Sequence, residues 1–391
     1  MNETEIRDRV DIARMVLSSG IQDFDMELHP SLDGVPDGAL GKRILGIPFP
    51  AGLEPSAQPI DPPPDPTAPL PKADVVVVTW TTDETDALAD VLTPGIGRAK
   101  WHRYAKDFET KYKPFIRPGA PALSAGRMAS YMPTKVGSLN VLCMKSELHL
   151  NQDGLKTGDH TATLPVKDLF DQIMDEAEPS HIFTIGTSGS VTEHFELGDV
   201  VITRAAKFRL ASEFRNEPFN GQVYTSDWQI PTTHLDAAVG LMQRFAPQLI
   251  EPPLAPPTTA YPVYEATIEP PPNAPDIKLE QGGRDMVEFH PILTTDYFEY
   301  GTSTNNLDAE GAGVEMGDAA LGLAVSERAE PTKWLVIRNM SDPRINGALW
   351  ATGHPVNMQT TWAVAYYLGY GYWTSVTGAI ATWGVLAGLS A

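Results

Sequence analysis

The sequence is nearly free of cysteine. Cys143 is the single one in 391 residues, so neither an intramolecular disulfide framework nor a cysteine-based metal cluster can organise the chain. Small secreted domains are often held together by disulfide bridges, and this chain cannot form one within itself. We therefore expect a cytoplasmic protein.

Basic side chains are also scarce. The chain has 29 Lys and Arg against 50 Asp and Glu, which gives a formal net charge of -21. Most of such a surface repels nucleic acid and anionic lipid, because counterion-release binding requires a basic face. Nucleic acid is therefore not expected as a partner.

Long apolar segments are missing from the N-terminus, and charge is missing from the C-terminus. The first twenty residues mix acidic and basic side chains without an apolar stretch, so no signal peptide is predicted. No Asp, Glu, Lys or Arg follows Arg344, and residues 370–389 raise the alternative of a transmembrane helix. Apolar or large aromatic residues recur there at 372, 376, 380, 383 and 387, a stripe typical of a helix that packs on a sheet. We predict a final core helix and no membrane partner.

Proline, in contrast, is abundant and concentrated. Of 35 prolines, ten lie in residues 48–71 and nine in residues 252–275, and neither stretch can be a helix interior or a central strand. We predict a proline-rich linker at 47–72 and a proline-rich surface insertion at 251–276. The linker separates an N-terminal helical extension, 1–46, from one domain at 73–391. Residues 4–17 of the extension have the pattern of an amphipathic helix that docks on a partner or on the domain.

The domain alternates short β-branched runs with helical periodicity, which indicates an α/β fold with an open, largely parallel sheet. The predicted strands are 73–79, 141–144, 181–185, 199–203, 291–295 and 333–338. The predicted helices are 83–92, 164–178, 314–328 and 370–389.

Four segments carry candidate chemistry, and each has a structural alternative. IGTSGSV at 185–191 reads as a polar turn after a strand, where glycines let backbone amides approach a ligand. VEMGDAALG at 314–322 places acidic residues at a helix start, which is commonly a dipole effect. WLVIRNMSDP at 334–343 is a strand ending in Ser-Asp-Pro, commonly a turn. TWTTDETDAL at 79–88 follows the first strand and could be a solvated helix start.

The order of these segments resembles the nucleoside phosphorylase superfamily, most closely its methylthioadenosine/adenosylhomocysteine nucleosidase branch. VLCMKSELHL at 141–150 is similar to a strand of that branch that ends in Lys-Ser. The resemblance covers roughly residues 73–385 and implies a three-layer fold, with a central parallel or mixed sheet between helices on both faces. It implies an N-glycosidase that needs no cofactor and no metal, and a homo-oligomer.

The resemblance also implies roles for single residues. Asp342 matches the acid that protonates N7 of a purine, and Ser341 would orient it. Glu84 matches the carboxylate that binds the attacking water, beside Arg338 and Thr187. The base and sugar would contact Phe298, Met316, Ser188 and Gly189.

One position departs from the family pattern. The second Glu of the usual Glu-Met-Glu, which bridges the two ribose hydroxyls, is Gly317 here. Glu315 and Asp318 are the residues left to bind the sugar. A modified sugar, another way of holding ribose and a loss of activity all stay open.

The nucleophile is predicted to be water. The superfamily's phosphorylases bind phosphate through an arginine and a glycine-rich loop, and the corresponding positions here are Thr184 and residues 80–83, which offer neither a cation nor a glycine. A purine nucleoside phosphorylase, a non-catalytic nucleoside-binding module and an ATP or AMP nucleosidase effector of an antiphage system remain alternatives. The last would need the basic residues of two segments to converge on the pocket: Arg204, Lys207, Arg209, Arg215, Lys111, Lys113 and Arg117. His149 is a further residue of interest, because it follows the matched strand.

Overall fold

A computed structural model describes Ile6, Arg9 and most of the domain. The described ranges are 46–150, 154–155, 162–193, 195, 197–228, 230–231, 236, 240–241, 277–279, 291–349 and 357–390. The predicted insertion at 251–276 lies outside the described residues, as does nearly all of the extension at 1–46. Statements of absence below refer to the described residues.

The described residues form thirteen strands in one sheet and five helices. The strands are β1 Ser56–Ala57, β2 Val75–Thr79, β3 His102–Tyr104, β4 Ala129–Val136, β5 Leu139–Ser146, β6 His181–Ser190, β7 Val200–Thr203, β8 Ala205–Phe208, β9 Val223–Thr225, β10 Ile277–Leu279, β11 Ile292–Thr294, β12 Gly313–Glu315 and β13 Lys333–Asp342. The helices are α1 Thr82–Leu92, α2 Pro121–Ala125, α3 Pro165–Ala177, α4 Asp318–Ser326 and α5 Met358–Ser390. Single turns of 3₁₀ or π helix cover Arg98–Lys100, Phe108–Tyr112, Lys113–Phe115 and Leu307–Ala309.

The sheet is mixed. Its main path runs β1-β4-β5-β2-β6-β12-β11-β8-β9, and β13 pairs with both β6 and β7. The pairs β2/β5, β2/β6 and β6/β13 are parallel, whereas β4/β5, β12/β6 and β13/β7 are antiparallel. Because β5, β2, β6 and β13 run in the same direction, their carboxyl ends meet at one edge of the sheet.

Helices cover both faces of the sheet. Along β2, Val76 and Val78 belong to the core that contains α3 and α4, whereas Val75 and Val77 belong to the core that contains α1 and α5. A strand buried on both faces needs apolar residues at every position, which is the pattern of this run. The three-layer α/β prediction is confirmed.

The C-terminal helix is a core element, as predicted, but it begins earlier. It spans Met358–Ser390 rather than 370–389, and Val376, Ile380 and Trp383 lie in the core against the sheet. No described helix combines the length and apolarity needed to cross a membrane.

Two local predictions were wrong. The GTSG segment is not a turn, because β6 continues to Ser190 and pairs with β13 beyond Gly186. Glu315 is not at a helix start: it ends β12, and α4 begins at Asp318. In both places the pairing of neighbouring strands, β6 with β13 and β12 with β6, determines the backbone conformation in spite of a sequence pattern typical of a turn or a helix.

The proline-rich segment predicted as a linker packs on the domain. Ser56 and Ala57 pair with β4, the Leu53 carbonyl accepts from the Trp383 indole at 2.7 Å, and Leu70 is buried. Edge pairing is compatible with frequent proline, since an edge strand needs only some of its amides. The domain boundaries themselves stay predictions.

Candidate functional site

A cavity lies at the sheet edge where β2, β6 and β13 end. Each of the four segments that carry candidate chemistry, 79–88, 185–191, 314–322 and 334–343, contributes residues to it. It is lined by Trp80, Thr81, Glu84, His149, Thr187, Ser188, Gly189, Thr295, Phe298, Glu299, Val314, Glu315, Met316, Arg338, Ser341, Asp342 and Tyr367.

Glu84 is held by donors from both sides. It is the third residue of α1, where it forms a capping box with Thr81. Its Oε2 accepts from the Thr79 hydroxyl and the amides of Trp80 and Thr81, and its Oε1 accepts from the amide and hydroxyl of Thr187. Burial alone would raise the pKa of Glu84, but the Arg338 guanidinium and these donors outweigh it and lower the pKa. Glu84 is therefore a buried carboxylate at neutral pH.

Two glycines of β6 make room for these charges. A Cβ atom at Gly186 would lie 2.4 Å from Nη1 of Arg338 and 2.6 Å from Oε1 of Glu84. At Gly189 it would lie 2.7 Å from Oδ2 of Asp342. The glycines are thus required for close approach by the charged groups on either side.

Arg338 pairs with two acidic residues. Its guanidinium binds both carboxylate oxygens of Asp318, with Nε 2.8 Å from Oδ2, and Nη2 lies 3.2 Å from Oε2 of Glu315. Nη1 donates to the carbonyl of Thr187 at 3.1 Å. Asp318 is fully buried behind Arg338, and it does not line the cavity. Asp318, one of the two residues predicted to bind the sugar, is therefore engaged in an ion pair with Arg338.

Glu315 organises the start of α4. Its carboxylate accepts from the amides of Gly317 and Asp318 and from the Thr294 hydroxyl. Burial, and then the nearby Asp318 carboxylate, raise the pKa of Glu315. Both carboxylate oxygens of Glu315 therefore already accept hydrogen bonds from groups of the protein.

Asp342 also lines the cavity, and it accepts fewer described hydrogen bonds than Glu84 does. It is 4% exposed, and its described hydrogen-bond donor is the Ser341 hydroxyl, 2.9 Å from Oδ1. Burial raises the pKa of Asp342 to about 7, and the Ser341 hydrogen bond opposes that rise. A carboxyl group of this kind can hold a proton near neutral pH and release it to a base.

Phe298 and Glu299 line the cavity from the segment after β11, and the N-terminal extension contacts them. The amide of Phe298 donates to the Arg9 carbonyl at 3.2 Å, and Arg9 pairs with Glu299 at 2.7 Å. The Arg9 guanidinium also lies 4.4 Å from the centre of the Tyr300 ring. Arg9 of the extension therefore contacts the domain itself.

The cavity brings together ten of the eleven residues predicted for the site, with Asp318 directly behind them. Their roles stay predictions. Six lining residues were not predicted: Trp80, Thr81, Thr295, Glu299, Val314 and Tyr367. Trp80 and Thr81 directly follow the first strand, so their positions carried a signal, whereas Tyr367 lies in a part of α5 that the predicted helix did not include. His149 is on the wall, and burial followed by the nearby Lys145 lowers its pKa to about 4, so it is uncharged at neutral pH.

The basic residues invoked for a phosphate site do not line the cavity. Lys207 and Arg209 pair with Glu310, Lys113 pairs with Glu109, and Arg117 contacts Glu213. The convergence that an ATP or AMP substrate would need is therefore not seen. In the described part of the chain, no group of three or more His, Cys, Asp and Glu side chains is arranged to hold a metal ion.

Comparisons with known proteins return structures but no sequence family. No protein-family model matches the chain, and no curated protein matches it. Solved structures of nucleosidases are similar to it. Futalosine hydrolase of Helicobacter pylori has 10% identity and a TM-score of 0.42, covering 80% of this chain and 96% of its own. The 5'-methylthioadenosine/S-adenosylhomocysteine nucleosidase of Neisseria meningitidis, in complex with methylthio-immucillin-A, has 13% identity and a TM-score of 0.43, covering 80% and 98%.

A third similar structure is the S-adenosylhomocysteine nucleosidase of Streptococcus pyogenes in complex with 5-methylthiotubericidin. It has 12% identity and a TM-score of 0.41, and the match covers 82% of this chain and 98% of that one.

Proposed function

We propose that the chain is a purine nucleoside N-glycosidase that hydrolyses the bond between the base and the sugar. The observation that carries this proposal is a pair of carboxyl groups on one cavity whose pKa values are shifted in opposite directions. The pKa of Asp342 is raised to about 7, whereas that of Glu84 is lowered. Such a pair supplies an acid and an anion side by side at neutral pH.

Asp342 acts as the general acid. It gives its proton to N7 of the purine as the C1'–N9 bond breaks and the bonding electron pair moves to the base. Ser341 fixes the carboxyl group through its 2.9 Å hydrogen bond, and Phe298 supplies an aromatic face for the base. A positioned acid of this kind contributes roughly 10²–10⁴-fold to the rate.

Glu84 and Thr187 act on the sugar side. The sugar becomes positively charged as the base leaves, and the anionic Glu84 stabilises that charge in a site of low dielectric. The Thr187 hydroxyl donates a hydrogen bond to Glu84 and presents its oxygen lone pairs toward the attacking water. Water oxygen then bonds to C1', and its proton passes to Glu84. The Arg338 guanidinium offsets the negative charge of Glu315 and Asp318 on this side of the cavity.

The charge of the cavity favours an uncharged substrate. Glu84, Glu299, Glu315 and Asp342 line it, whereas Arg338 is the one Lys or Arg among the lining residues of the described chain. Because Arg338 is engaged by Asp318 and Glu315, a phosphate dianion would find no uncommitted cation among these lining residues and would lie beside the anionic Glu84. The same argument disfavours phosphorolysis and a 5'-phosphorylated nucleotide. It supports a nucleoside whose 5' group is neutral.

A second candidate, a nucleoside-binding module without turnover, is favoured by one observation. Glu84 already accepts five hydrogen bonds, and a carboxylate has about four lone-pair sites. Attack by water therefore depends on exchange of one of these bonds or on the Thr187 hydroxyl.

A chromatographic screen separates these functions. The purified full chain is incubated with adenosine, 2'-deoxyadenosine, methylthioadenosine, AMP and ATP, with and without inorganic phosphate. Hydrolysis predicts free adenine from nucleosides in both arms. Adenine that forms only with phosphate would establish a phosphorylase, and release from ATP or AMP alone would establish a nucleotide substrate. Nucleoside binding by calorimetry without any base release would establish the binding module.

A further inference from the structure

Trp80 closes the space in which a side chain at position 317 would lie. A Cβ atom built on Gly317 would be 2.9 Å from Cζ2 of the Trp80 indole, and two further ring atoms lie within 3.3 Å. The indole is fixed in this place, because it is 5% exposed and its Nε1 donates to the Leu148 carbonyl at 3.1 Å. The ring cannot give way readily, so Trp80 and Gly317 are complementary in shape.

The two carboxylates that flank this position in the chain, Asp318 and Glu315, are engaged within the protein. Both oxygens of Asp318 bind Arg338, and both oxygens of Glu315 accept amide hydrogens at the start of α4. Arg338 itself lies against the indole, with Cζ 5.1 Å from the ring centre. These groups are satisfied by one another, and they are arranged as a closed network beneath Trp80.

Trp80 and Met316 are two of the residues that line the cavity, and their side chains present carbon and sulfur surface to it. A ribose laid against this surface would turn hydroxyl groups toward an indole face and a thioether, and each hydroxyl would lose hydrogen bonds that it makes in water. A sugar without those hydroxyls would lose nothing and would gain contact area.

We propose that Trp80 and Gly317 select a nucleoside whose sugar lacks one or both of the 2' and 3' hydroxyls. This inference rests on the proposed function for the placement of the base at Asp342. It makes Trp80 a specificity-determining residue, and it explains how the site dispenses with a sugar-binding carboxylate at position 317.

The test measures binding rather than turnover, because 2'-deoxynucleosides also differ in intrinsic reactivity. Dissociation constants for adenosine, 2'-deoxyadenosine and 2',3'-dideoxyadenosine are determined by calorimetry on the full chain carrying Asp342→Asn. We expect at least one deoxynucleoside to bind about tenfold tighter than adenosine, the effect of one hydroxyl losing its partners. Equal or tighter binding of adenosine, or no binding of any of the three, would overturn the inference.

Variants at the two positions sharpen this test. Trp80→Phe keeps a ring over Gly317 and should keep the preference, whereas Trp80→Ala should bring the affinity ratio close to one. Trp80→Ala combined with Gly317→Glu adds an acceptor in the vacated space and should favour adenosine. An unchanged ratio in Trp80→Ala would contradict the role of Trp80.

The outcome is separable from that of the hydrolytic proposal. If the wild-type chain releases no adenine but the Asp342→Asn chain prefers deoxynucleosides, the hydrolytic function fails and the sugar preference stands. If adenine is released and adenosine binds as well as the deoxynucleosides, the reverse holds.

Discussion

Thr187 donates both its backbone amide and its hydroxyl to the same oxygen of Glu84, each at 2.8 Å. The two residues are 103 positions apart in the sequence. Glu84 belongs to the start of α1 and Thr187 to the end of β6, and the parallel pairing of β2 with β6 brings these segments to one sheet edge. This double contact orients the anion that we assign to the sugar side of the reaction.

Replacement of Thr187 by valine should lower kcat about ten- to hundredfold and change KM little. The variant keeps the side-chain volume but removes a hydroxyl hydrogen bond to a charged group, which is worth about 1.5–3 kcal/mol. Steady-state kinetics of base release measures the effect. Thr184→Val is the matched control, because Thr184 is a fully buried residue of the same strand whose hydroxyl contacts the Leu335 carbonyl, not Glu84. Equal losses in both variants would count against the assignment of Thr187.

The pH dependence of kcat/KM should show a basic limb near pH 7. Asp342 works as an acid only while protonated, so activity falls as the pH rises through its raised pKa of about 7. Glu84 has a lowered pKa and stays ionised to below 4.5, so the acidic limb lies well below the basic one. Ser341→Ala removes a hydrogen bond that lowers the pKa of Asp342, and it should move the basic limb to higher pH. A basic limb at the same pH in Ser341→Ala as in the wild-type chain would show that a group other than Asp342 is titrating.

Loss of the Arg338 guanidinium should destabilise the fold. Arg338→Met leaves the Asp318 carboxylate, which has no exposed surface, without its cation, and removal of one partner of a buried pair costs about 3–5 kcal/mol. Urea unfolding measures this change. Adding Asp318→Asn to Arg338→Met removes the uncompensated charge and should recover part of the stability. Strict additivity of the two single effects would show that the pair is not coupled.

The sequence predicted the part of the site that depends on strand order. The β-branched run 75–79 and the run 333–338 can be buried only in the middle of a sheet, so their ends had to carry Glu84 and Asp342 to a common edge. The strand predictions depend on residue type and spacing, which a single sequence contains. The places of Thr187 and Phe298 beside Glu84 and Asp342 were implied by the resemblance of the motif order to the superfamily.

The contacts that the sequence did not reveal depend on tertiary packing. Gly186 and Gly189 suggested a turn, but they lie in an extended strand, because Arg338, Glu84 and Asp342 crowd their faces. Tyr367 could not be placed at the cavity without knowing that α5 begins at Met358. Proline frequency likewise gave no hint that residues 53 and 70 pack on the domain.

Arg9→Ala should weaken substrate binding and leave kcat nearly unchanged. The variant loses the ion pair with Glu299 and the ring contact with Tyr300, which hold the segment that contains Phe298. An increase in KM of about three- to tenfold corresponds to about 0.7–1.4 kcal/mol. This is less than the roughly 1.5–3 kcal/mol of a charged hydrogen bond, because Arg9 holds the segment and does not bind the substrate. Lys113→Ala, which removes an exposed ion pair with Glu109, is the control and should have no effect. Unaltered KM in Arg9→Ala would exclude a positioning role for the extension.

The most direct test of the hydrolytic assignment follows the oxygen atom. Purified chain is incubated with a neutral adenine nucleoside in water enriched in the heavy oxygen isotope, with phosphate also present, and the sugar product is analysed by mass spectrometry. We predict free adenine and a reducing sugar that carries the heavy isotope at C1', with both products lost in Asp342→Asn. A sugar phosphate without the isotope, or product formation undiminished in Asp342→Asn, would contradict the account.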